Sequence, residues 1–318
     1  MILVAGGTGR LGTLVVSGLA GRGLKVRVLT RDPARASHLV GVAAEIVRGD
    51  VRDRPTIERA MAGVDTLVSA VQGFAGPGRV TPASVDRDGN ANLIDAAVTA
   101  EADVVLVSVV GASSDHPMEL FRAKHQAEQH LLASGVSWTV VRPTAFVELW
   151  ADIMAKPIVF GQGDNPINFV SVRDVAVVVE RATIDTSLRG QILEVGGPEN
   201  LTFNQLAGTL GELRGQAWKV RHVPRGVLRV MTPASRRARA AIVMDTTDMT
   251  FAPSTAPYQV EPPMTDIRTA LTRAWATPSR PAPFASPARG QAAPVGGTDA
   301  ALPLLPPADA DSRDRSGY

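Results

Sequence analysis

Hydrophobic residues along the first half of the chain switch repeatedly between short strand-like runs and a helical spacing near 3.6. Residues 1–5 (Met-Ile-Leu-Val-Ala) form an apolar run that breaks at Gly6-Gly7-Thr8-Gly9. Residues 10–22 then carry Leu11, Val15 and Leu19 at helical spacing, and Lys25 to Leu29 alternates as a strand does. Strand, glycine turn, helix and strand make one βαβ unit. The alternation continues, with strands predicted at 45–47, 66–70, 103–110 and 138–141 and helices at 55–62, 86–100 and 117–134, the last stopping at Gly135. The run from Asp103 to Val110 is nearly all apolar, the pattern of a strand covered on both faces. Strands alternating with helices in this way predict an α/β fold with a doubly wound parallel sheet, the Rossmann arrangement.

After Pro143 the pattern loosens. Strand-like pieces at 158–160, 169–170 and 192–195 mix with helices at about 174–183 and 203–214. The predicted organisation is a dinucleotide-binding domain over residues 1–145, then a small C-terminal α/β lobe over residues 146–277, interleaved with the sheet and closing a cleft beside it. Residues 278–318 hold eight prolines among Ala, Gly, Ser and Asp. Such a segment buries too little apolar surface to offset the entropy of ordering, so a disordered C-terminal tail is expected.

Composition narrows the function classes. With 318 residues, 45% of them hydrophobic, the chain can build a sizeable core. The formal net charge is only +2, and no Lys/Arg run interleaves with aromatics, so no nucleic-acid partner is expected. The densest basic stretch, Arg236, Arg237 and Arg239, reads either as a solvated helix face or as an anion or partner patch. The absence of cysteine excludes disulfides, thiolate catalysis and Cys-ligated metals. His38, His116, His125, His130 and His222 show no ligand spacing, so no metal is expected, and no Gly-x-Ser-x-Gly elbow points to a hydrolase. No segment approaches the ~20 apolar residues of a membrane span. The start lacks the basic region and long apolar stretch of a signal peptide. The expectation is a cytoplasmic protein, monomer or homodimer, with a small-molecule substrate and no membrane partner.

The glycine turn carries the most specific chemistry. In Gly6-Gly7-Thr8-Gly9-Arg10-Leu11-Gly12 the glycines at 6, 9 and 12 follow a strand and open a helix. A pyrophosphate approaching a helix N-terminus meets free backbone amides and the positive end of the dipole. Gly6 permits the tight turn, a side chain at Gly9 would block the phosphate, and Gly12 lets the helix sit close to the strand. Arg31, nineteen residues past Gly12 at the end of the second strand, stands where an acidic residue would bind an NAD ribose; an arginine there suits the 2′-phosphate of NADP, although Asp32 is adjacent. Arg35 follows on the same loop. The expected cofactor is NADP rather than NAD. Asp50 and Val51 after the third strand, and Ala70 after the fourth, belong to the carboxyl edge of the sheet, where ligands of this architecture bind. Asp50 suits the adenine amino group or is a plain turn aspartate. Lys124 falls on the apolar stripe of its helix, four after Leu120 and three before Ala127. A lysine facing inward is costly without a partner, which cofactor ribose hydroxyls would supply unless the chain snorkels to solvent.

With these features the chain resembles the atypical short-chain dehydrogenase/reductase superfamily, in particular its NmrA-like, NAD(P)H-binding branch. The resemblance runs from residue 1 to about 275. It rests on the glycine turn, Gly49-Asp50-Val51, Ser108 on the fifth strand, Lys124, Val141-Arg142-Pro143-Thr144, the Val170 to Ala176 segment and Glu194-Val195-Gly196-Gly197-Pro198. It implies that Ser108 belongs to the cofactor site, that Pro143 and Thr144 line the nicotinamide side, and that Lys124, the candidate catalytic residue, holds the nicotinamide ribose. Asp174 reads as the N-cap of the next helix. One departure stands out. Superfamily members pair a tyrosine general acid/base with the lysine four residues on, but here that position is Leu120, and the only tyrosines are Tyr258 and Tyr318. General acid/base help is worth about 10²–10⁴ in rate. The expected function is therefore NAD(P)H-dependent transfer of hydride to a small conjugated acceptor, such as a quinone or azo dye, that takes its proton from water. The alternative is a non-catalytic NADP(H)-binding redox-sensing regulator.

Overall fold

In the computed structural model, residues 1–74, 80–215, 218–252 and 264–276 are described. They fall within one compact unit, Met1–Ala285; the second unit, Ser286–Tyr318, and with it the tail expected to be disordered, lies outside the described residues. The first half follows the predicted alternation: β1 (Ile2–Ala5), α1 (Arg10–Gly21), β2 (Val26–Thr30), β3 (Glu45–Arg48), α2 (Arg54–Met61), β4 (Thr66–Ser69), α3 (Asp88–Thr99), β5 (Asp103–Val107), α4 (Glu119–Ala133) and β6 (Trp138–Pro143). Later elements are β7 (Ala145–Phe146), α5 (Val147–Ile153), β8 (Ile158–Phe160), β9 (Ile167–Val170), α6 (Val172–Ile184), β10 (Gln191–Val195), β11 (Glu199–Leu201), α7 (Phe203–Leu213), β12 (Arg221–Val223), α8 (Arg225–Met231), α9 (Arg236–Met244) and α10 (Ile267–Ala276).

Seven strands form one parallel sheet in the order β10-β6-β5-β4-β1-β2-β3. The chain order reverses between β1 and β4, which opens a crevice at their carboxyl ends. Alternate side chains supply two separate cores. Ile2 and Val4 face one side with Val28, Val68 and Val105, where α1 and α6 cover them. Leu3 and Ala5 face the other with Leu29, Leu67 and Leu106, under α2, α3 and α4. Both faces are thus buried, as the unbroken apolar runs require. A third core joins Phe169, Phe203, Leu206, Val243 and Leu271 around the small sheet β11-β9-β7.

Three expectations need correction. The helix predicted from residue 86 starts earlier, as a wide π turn over Pro82–Arg87, because Thr81 and Ser84 form a reciprocal capping box with Pro82 in the first turn. Asp174 does not cap α6. Ser171 does, accepting from the Arg173 amide, while Asp174 sits one turn in and accepts from the Thr265 amide and hydroxyl at 2.8 and 2.7 Å. The fifth strand is shorter than predicted, although Ser108 and Val110 continue along β6 by donating to the carbonyls of Val141 and Pro143.

Candidate active site

The turn between β1 and α1 is built around positions where a side chain does not fit. Gly6 has φ +85°, and a Cβ there would lie 2.5 Å from the Ala70 carbonyl oxygen at the end of β4. A Cβ at Gly12 would run into the backbone of Gly6 and Gly7, with Gly7 Cα at 2.7 Å. Gly12 therefore lets the helix close on the turn itself rather than on the strand, which refines the expectation from sequence. Gly9 differs: a Cβ there would meet only the Gly6 oxygen, at 3.2 Å, and otherwise points into open space. Gly9 is also the N-cap of α1 and offers no side chain, so the leading amides of the helix lack intrahelical acceptors. An open niche beside unpartnered amides fits a pyrophosphate.

From this turn a cleft of about 2170 Å³ runs along the carboxyl edge of the sheet to α8 and α9. Pockets for one small ligand rarely exceed ~1,000 Å³, so this one has room for a dinucleotide and a second molecule. Its walls include Gly6, Thr8, Gly9, Arg10, Leu11, Gly12, Arg31, Asp50, Val51, Ala70, Ser108, Lys124, Pro143 and Thr144. Gly7 is not among them; a Cβ there would press on Val28 of β2 at 2.9 Å. Arg31 is exposed at the end of β2. Next to it Asp32 caps a short 3₁₀ turn, Pro33–Leu39, by accepting from the Ala34 amide. The Asp50 carboxylate is taken up by Arg52, at 3.0 and 2.6 Å, and that guanidinium holds it below the usual carboxylate range. Thr144 Oγ1 donates to Asn168 Oδ1 at 2.8 Å. Ser108 Oγ is buried and has no hydrogen-bond partner among the described residues.

Lys124 is 5% exposed and does not snorkel. Its ammonium donates to the carbonyls of Val71 and Val107, at 3.0 and 2.8 Å, and lies 3.2 Å from Asp86 Oδ1. These oxygens come from the ends of β4 and β5 and from the π turn. Asp86 is fully buried and its other oxygen accepts from the Gly73 amide at 2.8 Å. Burial pushes the Asp86 carboxyl up, against the pull of Lys124. The lysine thus has protein oxygens as partners, whereas a ribose was the partner expected.

The model of the NAD(P)H-binding family matches residues 6–185. The chain belongs to that family. An NAD(P)H azoreductase from Xenophilus azovorans is 30% identical over 68% of this chain and 74% of its own length. A (4-alkanoyl-5-oxo-2,5-dihydrofuran-3-yl)methyl phosphate reductase from Streptomyces griseus is 32% identical over the same shares. Among solved structures, an NADPH-dependent quinone oxidoreductase from Escherichia coli, complexed with NADPH, has the same fold: TM-score 0.71 at 20% identity, covering 86% of this chain and 100% of that one. The expected NAD(P)H-binding family is borne out, and the cofactor of this chain is a nicotinamide dinucleotide.

Several residues of the site were not singled out in the sequence. Asp86 is one. Glu148 on α5 is another: it lines the cleft, accepts from Ser171 Oγ and the Val172 amide, and is pushed up by burial. Asp152, on the same helix, pairs with Arg10 and ties the glycine turn to α5. Arg142, of the Val141-Arg142-Pro143-Thr144 segment, does not line the cleft and instead bridges Glu128 on α4 to Glu194 on β10. Of the basic stretch on α9, Arg237 lines the cleft, Arg239 donates to the Thr232 carbonyl and Arg236 lies 3.9 Å from Glu119. Leu120, in the tyrosine's place, also faces the cleft, as does His116.

Proposed function

We propose that this protein is an NADPH-dependent oxidoreductase that passes hydride to a small conjugated acceptor of the quinone or azo class. One observation carries the reading: a single cleft joins the glycine turn to a second, largely apolar compartment walled by α5, α8 and α9, so cofactor and acceptor share one space. The azoreductase and quinone oxidoreductase relatives support the same class of reaction. The bound dinucleotide supplies the hydride. The chain's own residues bind, orient and exclude water. Gly9 and the amides opening α1 take the pyrophosphate. Arg31 and Arg35 line the cleft beyond β2, beside Asp32, whose Oδ1 caps the turn that follows; two guanidinium groups at this edge favour the 2′-phosphate of NADP.

Lys124, with Val71, Val107 and Asp86 as partners, acts by holding the ends of β4 and β5 in place beside the cofactor. Ser108 and Thr144 stand on neighbouring strand ends and line the cleft, where they would help hold the cofactor. With Leu120 in its place, no tyrosine stands in the site among the described residues, which suits acceptors protonated by water after hydride arrives.

Absorbance of the reduced nicotinamide, followed in mixtures of protein, NADPH and a panel of quinones and azo dyes, tests the proposal. Turnover with at least one acceptor class is expected. Tight cofactor binding with no turnover across the panel would overturn it in favour of a redox-sensing regulator.

A further inference from the structure

The reading above leaves one chemical gap. A conjugated carbonyl that takes up hydride at carbon gains a C–H bond, and its C=O π pair moves onto oxygen. The resulting enolate oxygen carries the negative charge until water protonates it; in a quinone, the carbon that took the hydride then loses a proton to water to give the hydroquinone. The electrons come from the dihydronicotinamide, so atoms and charge balance without a protein acid. The oxygen still needs a hydrogen-bond donor while the charge develops, and removing such a donor costs about 10²–10³ in rate. With leucine at position 120 the wall must find it elsewhere.

We propose that His116 is this donor, through Nε2–H, to the carbonyl oxygen of the acceptor. This rests on the reductase reading of the same cleft. His116 lies on the loop between β5 and α4 and lines the cleft. Its ring stacks on Phe121, centroid to centroid 3.9 Å with planes 9° apart, one residue past the place of the missing tyrosine. Nδ1 faces the Met118 amide and accepts its hydrogen at 3.1 Å. A neutral ring whose Nδ1 accepts must carry its hydrogen on Nε2, so the tautomer is set by the backbone. Nε2 itself has no partner among the described residues. Arg122 holds the loop by donating to the His116 carbonyl at 2.5 Å. Burial, and then the Arg122 charge, hold the imidazole below its ordinary pKa, against Asp115 and the Met118 amide contact. The ring is therefore neutral at pH 7, a state in which imidazole can polarise a carbonyl without giving up its proton. Of the neighbouring polar groups, Lys124 is held by protein oxygens and Thr144 by Asn168, which leaves His116 and the buried Ser108 hydroxyl as the donors on this wall.

Two acceptors separate the idea from a structural role. Menadione develops charge on oxygen. Malachite green, a triarylmethyl cation, takes hydride at its central carbon, becomes neutral and places no charge on oxygen. With NADPH and otherwise intact protein, His116→Leu should lower kcat/KM for menadione about 10²-fold and leave the dye within about twofold. His116→Gln, which keeps an N–H donor, should recover most of the menadione activity. Independently of turnover, the hydroxynaphthoquinone anion should bind the NADP⁺-loaded Leu variant about tenfold more weakly by calorimetry, the measure of one charge-assisted hydrogen bond. Equal loss on both acceptors, or no loss on menadione with unchanged anion binding, would overturn the assignment. If unaltered protein reduces neither acceptor, the reductase reading itself fails and this inference falls with it.

Discussion

At the scale of single residues, the site turns on a buried ion pair that is invisible along the chain. Lys124 was legible as an inward-facing lysine because it interrupts an apolar stripe. Its partner was not, because Asp86 lies in a segment that reads as an ordinary polar helix start; only the π turn carries its carboxylate inward, to full burial. Burial makes the pair a sensitive one. Removing one member leaves an uncompensated charge and costs about 3–5 kcal/mol, whereas replacing both with apolar groups is far cheaper. Lys124→Met and Asp86→Leu should each destabilise by about that amount, and the double variant should be markedly more stable than either single one, measured by urea unfolding. If the double variant instead shows the sum of the two losses, the residues are not coupled.

Among elements, the glycine turn and its helix were the most legible. A short apolar strand, glycines at fixed spacing and a helical stripe are local features, and local features survive folding. The roles of the individual glycines separate only in three dimensions. Gly12 abuts backbone, so Gly12→Ala should overpack the turn and cost about 1–3 kcal/mol. Gly9 faces open space, so Gly9→Ala should change stability by less than about 1 kcal/mol, the scale of a Gly-to-Ala backbone effect, while weakening NADPH binding at least tenfold. Thermal melts with and without NADPH distinguish the two. Similar losses of stability in both variants would contradict this division. Elements that form by distant pairing were harder to read. The seventh strand of the sheet, β10, pairs in parallel with β6 some fifty residues earlier, register Gln191 with Thr139. Nothing local specifies such a pairing. The short helix α8 was missed because it buries little: Leu228 is its buried residue, while Val227, Val230 and Met231 stay exposed.

For the whole molecule, the parallel sheet, its switch point and the cleft along its carboxyl edge follow from the order of strands and helices, so the fold class could be argued from pattern alone. The second half could not. Its small sheet and third core assemble from segments far apart in the chain, and the wall of the cleft away from the glycine turn is made there. The site therefore divides: the glycine turn was read largely from motifs, whereas the polar network beneath it and the imidazole on the cleft wall came only from the folded chain. Calorimetric titration with NADPH and, separately, NADH tests the central claim most directly. The account predicts one site per chain, tighter for NADPH, with that preference lost on Arg31→Ala. No heat with either nucleotide, or equal affinities that Arg31→Ala leaves unchanged, would contradict it.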